Sequence, residues 1–445
     1  MVTVCLPDNH HAERSYCIDT IFGEFLGISY QVRFDDAKSL DGSCWVVTTA
    51  HGTTLAVEDH FFSKIPAESG YLDARYLPET VFSASTPCLP GCDVPVLYGH
   101  SAYHATHDTI RFGGDIFASC FFMLTRWEEY VKTERDPHGR FPASASLAYQ
   151  NGFLSLPVVD IYVDMLWNML AELGIEGERK THLPRLFLTH DVDDLYFWNS
   201  AAQLFRVTAG DLLKRRDGGL AAARVREFLR VKKGAQKDPW DTFDLLMDLS
   251  ESIGAQSRFY FMSGGVTAYD NRYSINDPRA VELMAKIRQR GHVIGIHASY
   301  NSYNDPEQFR KEKVLLEETC GCEITEGRQH YLRFEVPATW RVWEENGMQT
   351  DATCGYADCA GFRCGTGKAF YAFDILKREQ LAIRERPLVM MDSSLFDYQC
   401  YEADERSAFW KGIMQSGSDI TLLWHNSYTA HLDEYIEMIG HARAQ

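Results

Sequence analysis

Asp191 and Asp193 stand two residues apart in Thr189-His-Asp-Val-Asp193. On an extended backbone, residues i and i+2 project to the same side. Two carboxylates aimed at one site repel each other unless a cation sits between them. The spacing therefore suits a cation held by one carboxylate while the other, held close, works as a base. His297 offers a neutral nitrogen donor, and Asn301, four residues on, reaches the same ion where the chain turns helically. Further groups that ligate, titrate or carry charge follow at Arg328-Gln-His330-Tyr331, Asp351, Asp392-Ser-Ser394 and His425-Asn426. Each has an ordinary alternative. Asp-rich turns cap helices, and a lone histidine is as often a satisfied core residue. Their joint placement is what points to a site.

That placement is set by strands. The strand-like runs are 185–189, 257–262, 293–296, 323–328, 348–351, 387–391 and 419–424, and most end in one of these groups. Helical runs at 242–253, 278–290, 306–318, 337–346, 404–414 and 430–443 lie between or after them, several starting with Pro or Asp. Alternating β and α predicts a parallel sheet, and about seven repeats predict a barrel, whose catalytic groups collect at strand C-termini.

Residues 1–180 carry no comparable motif. They read as a smaller α/β domain of unknown role, with strand-like runs at 28–34, 44–49 and 94–98. Amphipathic helices are expected over 115–133 and 159–173, with a polar loop over 134–142. His104 and His107 read as loop residues before they read as ligands. The segment 206–237 holds ten Lys/Arg against three Asp/Glu, a local +7 in a chain of −18. It reads as a helical, solvated face, or as a patch that meets an acidic glycan, a phosphate-bearing carrier or an anionic membrane.

A length of 445 residues fits two domains. The net acidity speaks against general nucleic-acid binding. The first residues lack a basic stretch followed by an apolar core, and no run is long enough to span a bilayer, so the expected location is cytoplasmic. The twelve cysteines form no CxxC pair and are expected as reduced thiols; Cys320-Gly-Cys322 and Cys354, Cys359 and Cys364 are a lesser, soft-metal alternative.

Residues 181–445 resemble the NodB-homology polysaccharide deacetylases, carbohydrate esterase family 4, which have a distorted (β/α)7 barrel. Thr189-His-Asp-Val-Asp193 is similar to the family's first motif, which implies Asp191 as general base and Asp193 as metal ligand. His297-Ala-Ser-Tyr-Asn301 resembles the second motif, His-x-x-x-His, and Arg328-Gln-His-Tyr331 the third, Arg-x-Pro-Tyr. Asp392 matches the residue that tunes the acid, and Leu423-Trp-His425 the final Leu-x-His. The first half resembles only an uncharacterised leader found ahead of some bacterial deacetylase-like barrels.

Two positions depart from the family. Asn301 replaces the second metal-binding histidine and is a weaker donor for zinc. His330 replaces a proline and is available as a compensating ligand or a substrate contact. The resemblance implies removal of an acetyl group, N-linked before O-linked, from a sugar, glycan or glycolipid precursor. Zinc is the expected ion, with cobalt, nickel or manganese as substitutes. Arg328 would orient Asp191, His425 would protonate the leaving group, and Tyr300 and Tyr331 would stack on sugar. Arg363, in a Gly-bounded loop, would grip a substrate oxygen or phosphate, or the loop is a plain turn. The rivals are an amide hydrolase of the same superfamily, a catalytically weak glycan-binding barrel and, last, a glycosidase that uses Glu335.

Overall fold

The chain begins with a six-stranded sheet whose order is β2-β1-β3-β4-β8-β7. Its strands are β1 (Val2–Pro7), β2 (Tyr30–Asp35), β3 (Cys44–Thr48), β4 (Thr54–Glu58), β7 (Gly99–Ala105) and β8 (Thr109–Gly114), and β5 (Phe82–Ser85) and β6 (Asp93–Val96) form a separate pair. The computed structural model describes residues 1–35, 43–66, 70–270 and 272–443. Alternation in β1 buries Val2, Val4 and Leu6.

The amphipathic helix expected over 115–133 is corrected. Ile116–Thr125 is buried at all ten positions, as befits a run apolar on every side. It breaks at Arg126, which takes a left-handed conformation (φ 53°), before a short helix at Trp127–Val131. The helix expected over 159–173 is found at Val158–Glu172.

The second sheet has nine strands in the order β14-β15-β13-β12-β11-β10-β9-β17-β16. These are β9 (Leu186–Val192), β10 (Ser257–Phe261), β11 (Val293–Ala298), β12 (Glu326–Gln329), β13 (Thr350–Asp351), β14 (Phe370–Asp374), β15 (Glu379–Glu385), β16 (Leu388–Met391) and β17 (Ile420–Leu423). All pairings are parallel except β14 with β15. The seven expected strands are all present, and the hairpin of β14 and β15 was not foreseen. The chain passes from β15, second from one end of the sheet, directly to β16 at the other end. β15 stops at Glu385 beside β13, and β16 begins at Leu388 beside β17. The Arg386 N–H donates to Asp351 (2.8 Å) and that of Leu388 to Cys354 (3.1 Å), which holds this bend. Gly327 permits the tight approach of β11 and β12, since a Cβ there would lie 2.0 Å from the Ile296 carbonyl oxygen.

Helices Pro278–Gln289 and Pro306–Cys320 start as their sequences dictate. Asp277 and Asp305 accept hydrogen bonds from first-turn N–H groups, and proline occupies the first helical position. One cluster of buried apolar residues runs through both sheets. Ion pairs also cross between them: Arg363 with Glu129, Arg378 with Glu13 and Arg384 with Glu24. The twelve cysteines are free, and Cys320 and Cys322 merely touch (Sγ–Sγ 3.2 Å). Among the described residues, no helix is long and apolar enough to cross a membrane.

Candidate active site

β9 carries Asp191 to its C-terminal end and the chain places Asp193 just beyond. Arg328, at the end of β12, is fully buried beneath them. Its Nη1 donates to Asp191 Oδ1 (2.8 Å), its Nη2 to Thr189 Oγ1 (3.0 Å) and its Nε to the Ala352 carbonyl (2.8 Å). With three donors fixed, the guanidinium holds one carboxylate oxygen, and the other lies 3.7 Å from His297 Nδ1. Burial pushes the Asp191 pKa up, but Arg328, His297 and His425 outweigh it and the carboxyl stays below its ordinary range.

Three ligand-type atoms converge beside it. Asp193 Oδ1 lies 3.2 Å from His297 Nε2 and 3.6 Å from His330 Nε2. Both rings are locked from behind. His297 Nδ1 lies 3.0 Å from the Arg328 carbonyl, and His330 Nδ1 3.2 Å from Asp270 Oδ1. An acceptor at Nδ1 requires a proton there, so in its neutral form each ring presents a lone pair at Nε2, although burial, which lowers the His297 pKa, is outweighed by Asp191 and Asp193, which raise it. Among the described residues, Asp193 Oδ1 and His330 Nε2 are buried with no hydrogen-bond partner. Burial, opposed by Asp193 and Asp270, lowers the His330 pKa and keeps that ring neutral. Buried lone pairs facing one another are unfavourable until a cation or proton joins them. The donor set of one carboxylate and two imidazoles fits a divalent transition ion such as zinc.

His330, the possible ligand of the sequence reading, joins this group of atoms, and Asn301 points elsewhere. β11 ends at Ala298, and a turn closed by Ser302 N–H to the Ser299 carbonyl (3.1 Å) carries Asn301 outward. There it is exposed, and its Oδ1 accepts from Arg333 (3.0 Å). Asp270, unforeseen in the sequence, holds three groups at once: His330, the Tyr300 N–H (2.9 Å) and Thr267. Burial would raise its pKa, but His330 and Thr267 bring it down to about 2.

On the adjoining strands, Asp392 follows β16 and His425 lies two residues past β17. Asp392 is fully buried, and its oxygens lie 2.9 and 3.0 Å from His425 Nδ1 and accept from the His425 N–H (2.6 Å). The opposite nitrogen, Nε2, lies 4.0 Å from Asp193 Oδ2. Burial alone would lower the His425 pKa. Asp392, with Asp193 and Asp191, carries it up to about 10.

Asp191, Asp193, His297, His330 and His425 line a cleft together with Arg140, Arg272, Tyr331, Met391 and Tyr398. Tyr331 and Leu332 both adopt positive φ (61° and 54°), a costly conformation for residues with a Cβ. Arg140, from the first half of the chain, holds this turn by donating to the Tyr331 carbonyl (3.0 Å). Its neighbour His138 meets the Tyr300 hydroxyl (3.1 Å) and packs on Tyr331 (ring centroids 4.6 Å apart). Tyr331 thus lines the cleft, whereas Tyr300 is held in the aromatic group behind it. Arg363 does not face outward as expected. It is 2% exposed and is bound to Glu129 (2.9 and 2.5 Å) and to the Gly355 carbonyl (2.7 Å).

A second histidine–carboxylate group lies on the first sheet. Glu58 Oε2 is 3.0 Å from His60 Nε2 and 3.2 Å from His100 Nε2, and Oε1 accepts from Arg111 (2.9 Å). His104 and His107 take no part in it.

No curated protein matches the chain. Among solved structures, it is similar to a Mycobacterium smegmatis protein named as a polysaccharide deacetylase, at 15% identity and a TM-score of 0.37 over 59% of this chain and 84% of that one. A chitin deacetylase from the fungal pathogen Colletotrichum lindemuthianum gives 11% and 0.29 over 58% and 81%. A mutant of a CE4 family pseudoenzyme with restored enzymatic activity gives 10% and 0.31 over 59% and 63%. The side-chain geometry, not this likeness, carries the reading of the site. The first half has a counterpart of its own: residues 2–175 match DUF7033, a family of unknown function.

Proposed function

We propose that the chain is a metal-dependent hydrolase that removes an acetyl group, N-linked in preference to O-linked, from a sugar or glycoconjugate. The observation that carries this is the convergence of Asp193 Oδ1, His297 Nε2 and His330 Nε2, with both rings anchored at Nδ1. These three residues would hold the ion. When bound, it supplies Lewis-acid polarisation of the acetyl carbonyl and a water of lowered pKa.

The remaining steps belong to the chain's own groups. Asp191, with one oxygen tied to Arg328, takes the proton of the attacking water on the other. His425, protonated through Asp392, delivers its proton to the departing nitrogen, giving acetate and a free amine. A backbone N–H at the end of β12 meets the developing oxyanion. Tyr331 borders the substrate, and Arg140 fixes its turn. The accompanying fold reading is a distorted (β/α)7 barrel over 181–445, preceded by a smaller α/β domain over 1–180. The β15–β16 bend, which carries the chain from one side of the sheet to the other, supports it.

Incubating the zinc-loaded protein with N-acetylglucosamine oligomers should release acetate, and Asp191→Asn should lower the rate by roughly 10²–10⁴-fold. Acetate release unchanged by Asp191→Asn would remove the assigned base. No release from any acetylated sugar, with zinc bound, would remove the reaction.

A further inference from the structure

The basic segment after β9 is absorbed by none of the chemistry above. It folds as Ala201–Gly210, a π-helical turn at Asp211–Arg215, and Gly218–Lys232. The first helix buries none of its residues, and the last buries only Ala221. Large apolar side chains stand in solvent: Phe205 is 75% exposed, Leu213 79%, Leu212 52% and Leu229 48%. Phe205, Leu212 and Leu213 fall at i, i+7 and i+8, one face of a helix, and Val225 and Leu229 fall at i and i+4 on the other. Lys214, Arg215 and Arg216 adjoin the first face, and Arg226, Arg230 and Lys233 the second. Among the described residues, only Arg215, Arg224 and Lys237 of the ten cations are in ion pairs.

We infer that this helical pair docks on an anionic lipid bilayer. A merely solvated basic face has no use for exposed Phe205 and Leu213. A polyanion such as a nucleic acid matches the cations and not the apolar residues. The headgroup boundary of a bilayer takes both, apolar side chains inward and cations against lipid phosphate. Subtracting the segment's +7 from the chain's −18 leaves −25 on the remainder, which repels the same surface and orients the contact. The segment also begins seven residues after Asp194, at the end of β9 where Asp191 and Asp193 lie. Its base is anchored, since Asp238 accepts from the Phe197 (2.8 Å) and Trp198 (2.9 Å) N–H groups. Docking therefore presents the β9 end of the cleft to the lipid surface. The inference is independent of the hydrolase reading, because it is tested without substrate.

The test is co-sedimentation of the full chain with vesicles of phosphatidylcholine alone or of phosphatidylcholine mixed with phosphatidylglycerol. Binding is expected to the mixed vesicles only and to weaken with added salt. Phe205→Ser with Leu213→Ser should weaken it by roughly tenfold or more, and Lys214→Glu with Arg216→Glu should abolish it. Leu183→Ser, at an equally exposed apolar residue (76%) outside the segment, should leave it unchanged. No binding to the mixed vesicles would overturn the proposal. So would wild-type binding by the Phe205→Ser, Leu213→Ser variant, which would mark the segment as a site for a soluble polyanion. Equal losses from Leu183→Ser would do the same.

Discussion

Two clusters in this chain have nearly the same composition, one carboxylate and two histidines, and opposite chemistry. Around Glu58 the polar atoms satisfy one another. His100 Nδ1 accepts from the Ala102 N–H (3.3 Å), which puts the ring proton on Nε2, where it serves Glu58. The second Glu58 oxygen is taken by Arg111. This is an ion-pair network, half open to solvent. Around Asp193 the arrangement is reversed. In the neutral form both rings spend their proton on an acceptor behind them, and the lone pairs then meet in a buried space. What distinguishes a candidate metal centre from a salt bridge here is the direction of the second nitrogen, and residue type alone does not reveal it.

The comparison can be broken or sharpened by experiment. Asp193→Ala should weaken zinc binding by more than roughly a hundredfold in titration calorimetry, exceeding what loss of a supporting residue does. Unchanged affinity would put the two clusters on an equal footing. Asp270→Ala should cost roughly ten- to a hundredfold by releasing the His330 ring. If Asn301→Ala cost more than Asp270→Ala, His330 would lose its place to Asn301. In chelator-treated protein, His425 provides a pH signature. Its folded pKa is raised to about 10, so its contribution is complete below its ordinary value and fades as pH rises from there through about 10. Wild type should therefore exceed His425→Gln by on the order of 2 kcal/mol near neutrality and converge with it in strong alkali, read from thermal melts. The smallest effect is expected at Glu58, whose pKa burial raises and Arg111 and His60 lower further, to a net depression. Its contribution is present above the ordinary carboxylate value and is lost as pH falls through the depressed one. Glu58→Gln should change stability by only about 1 kcal/mol and leave zinc affinity alone. A fall in zinc affinity would make the first cluster a metal centre too.

Local signals explain what the sequence disclosed. Strand periodicity and the polar residue that ends each apolar run are short-range, so the seven strands, Asp191, Asp193, His297 and His425 were legible. The β14–β15 hairpin was not, because β15 reads Glu-Gln-Leu-Ala-Ile-Arg-Glu and its pattern of charge resembles a solvated segment. Asp270 lies nine residues past β10, beyond the strand-end window in which the other groups were found. Arg363 misled for a different reason. A glycine-bounded arginine looks exposed until a partner 234 positions away, Glu129, is folded against it. Asn301 was assigned by spacing, and the turn at Ser299 changed the direction that spacing implied.

The hydrogen bond from Arg140 to the Tyr331 carbonyl has a consequence for how this sequence can change over generations. A wall of the cleft is braced by a residue encoded more than a hundred codons before it, and Glu129 with Arg363 repeats the arrangement deeper down. Losing one member of such a buried pair strands the other's charge. Drift at 126–140 must therefore be answered by drift at 331–363, and grafting the later residues onto a foreign leader would carry over every ligand while discarding the scaffold that shapes the turn beside them.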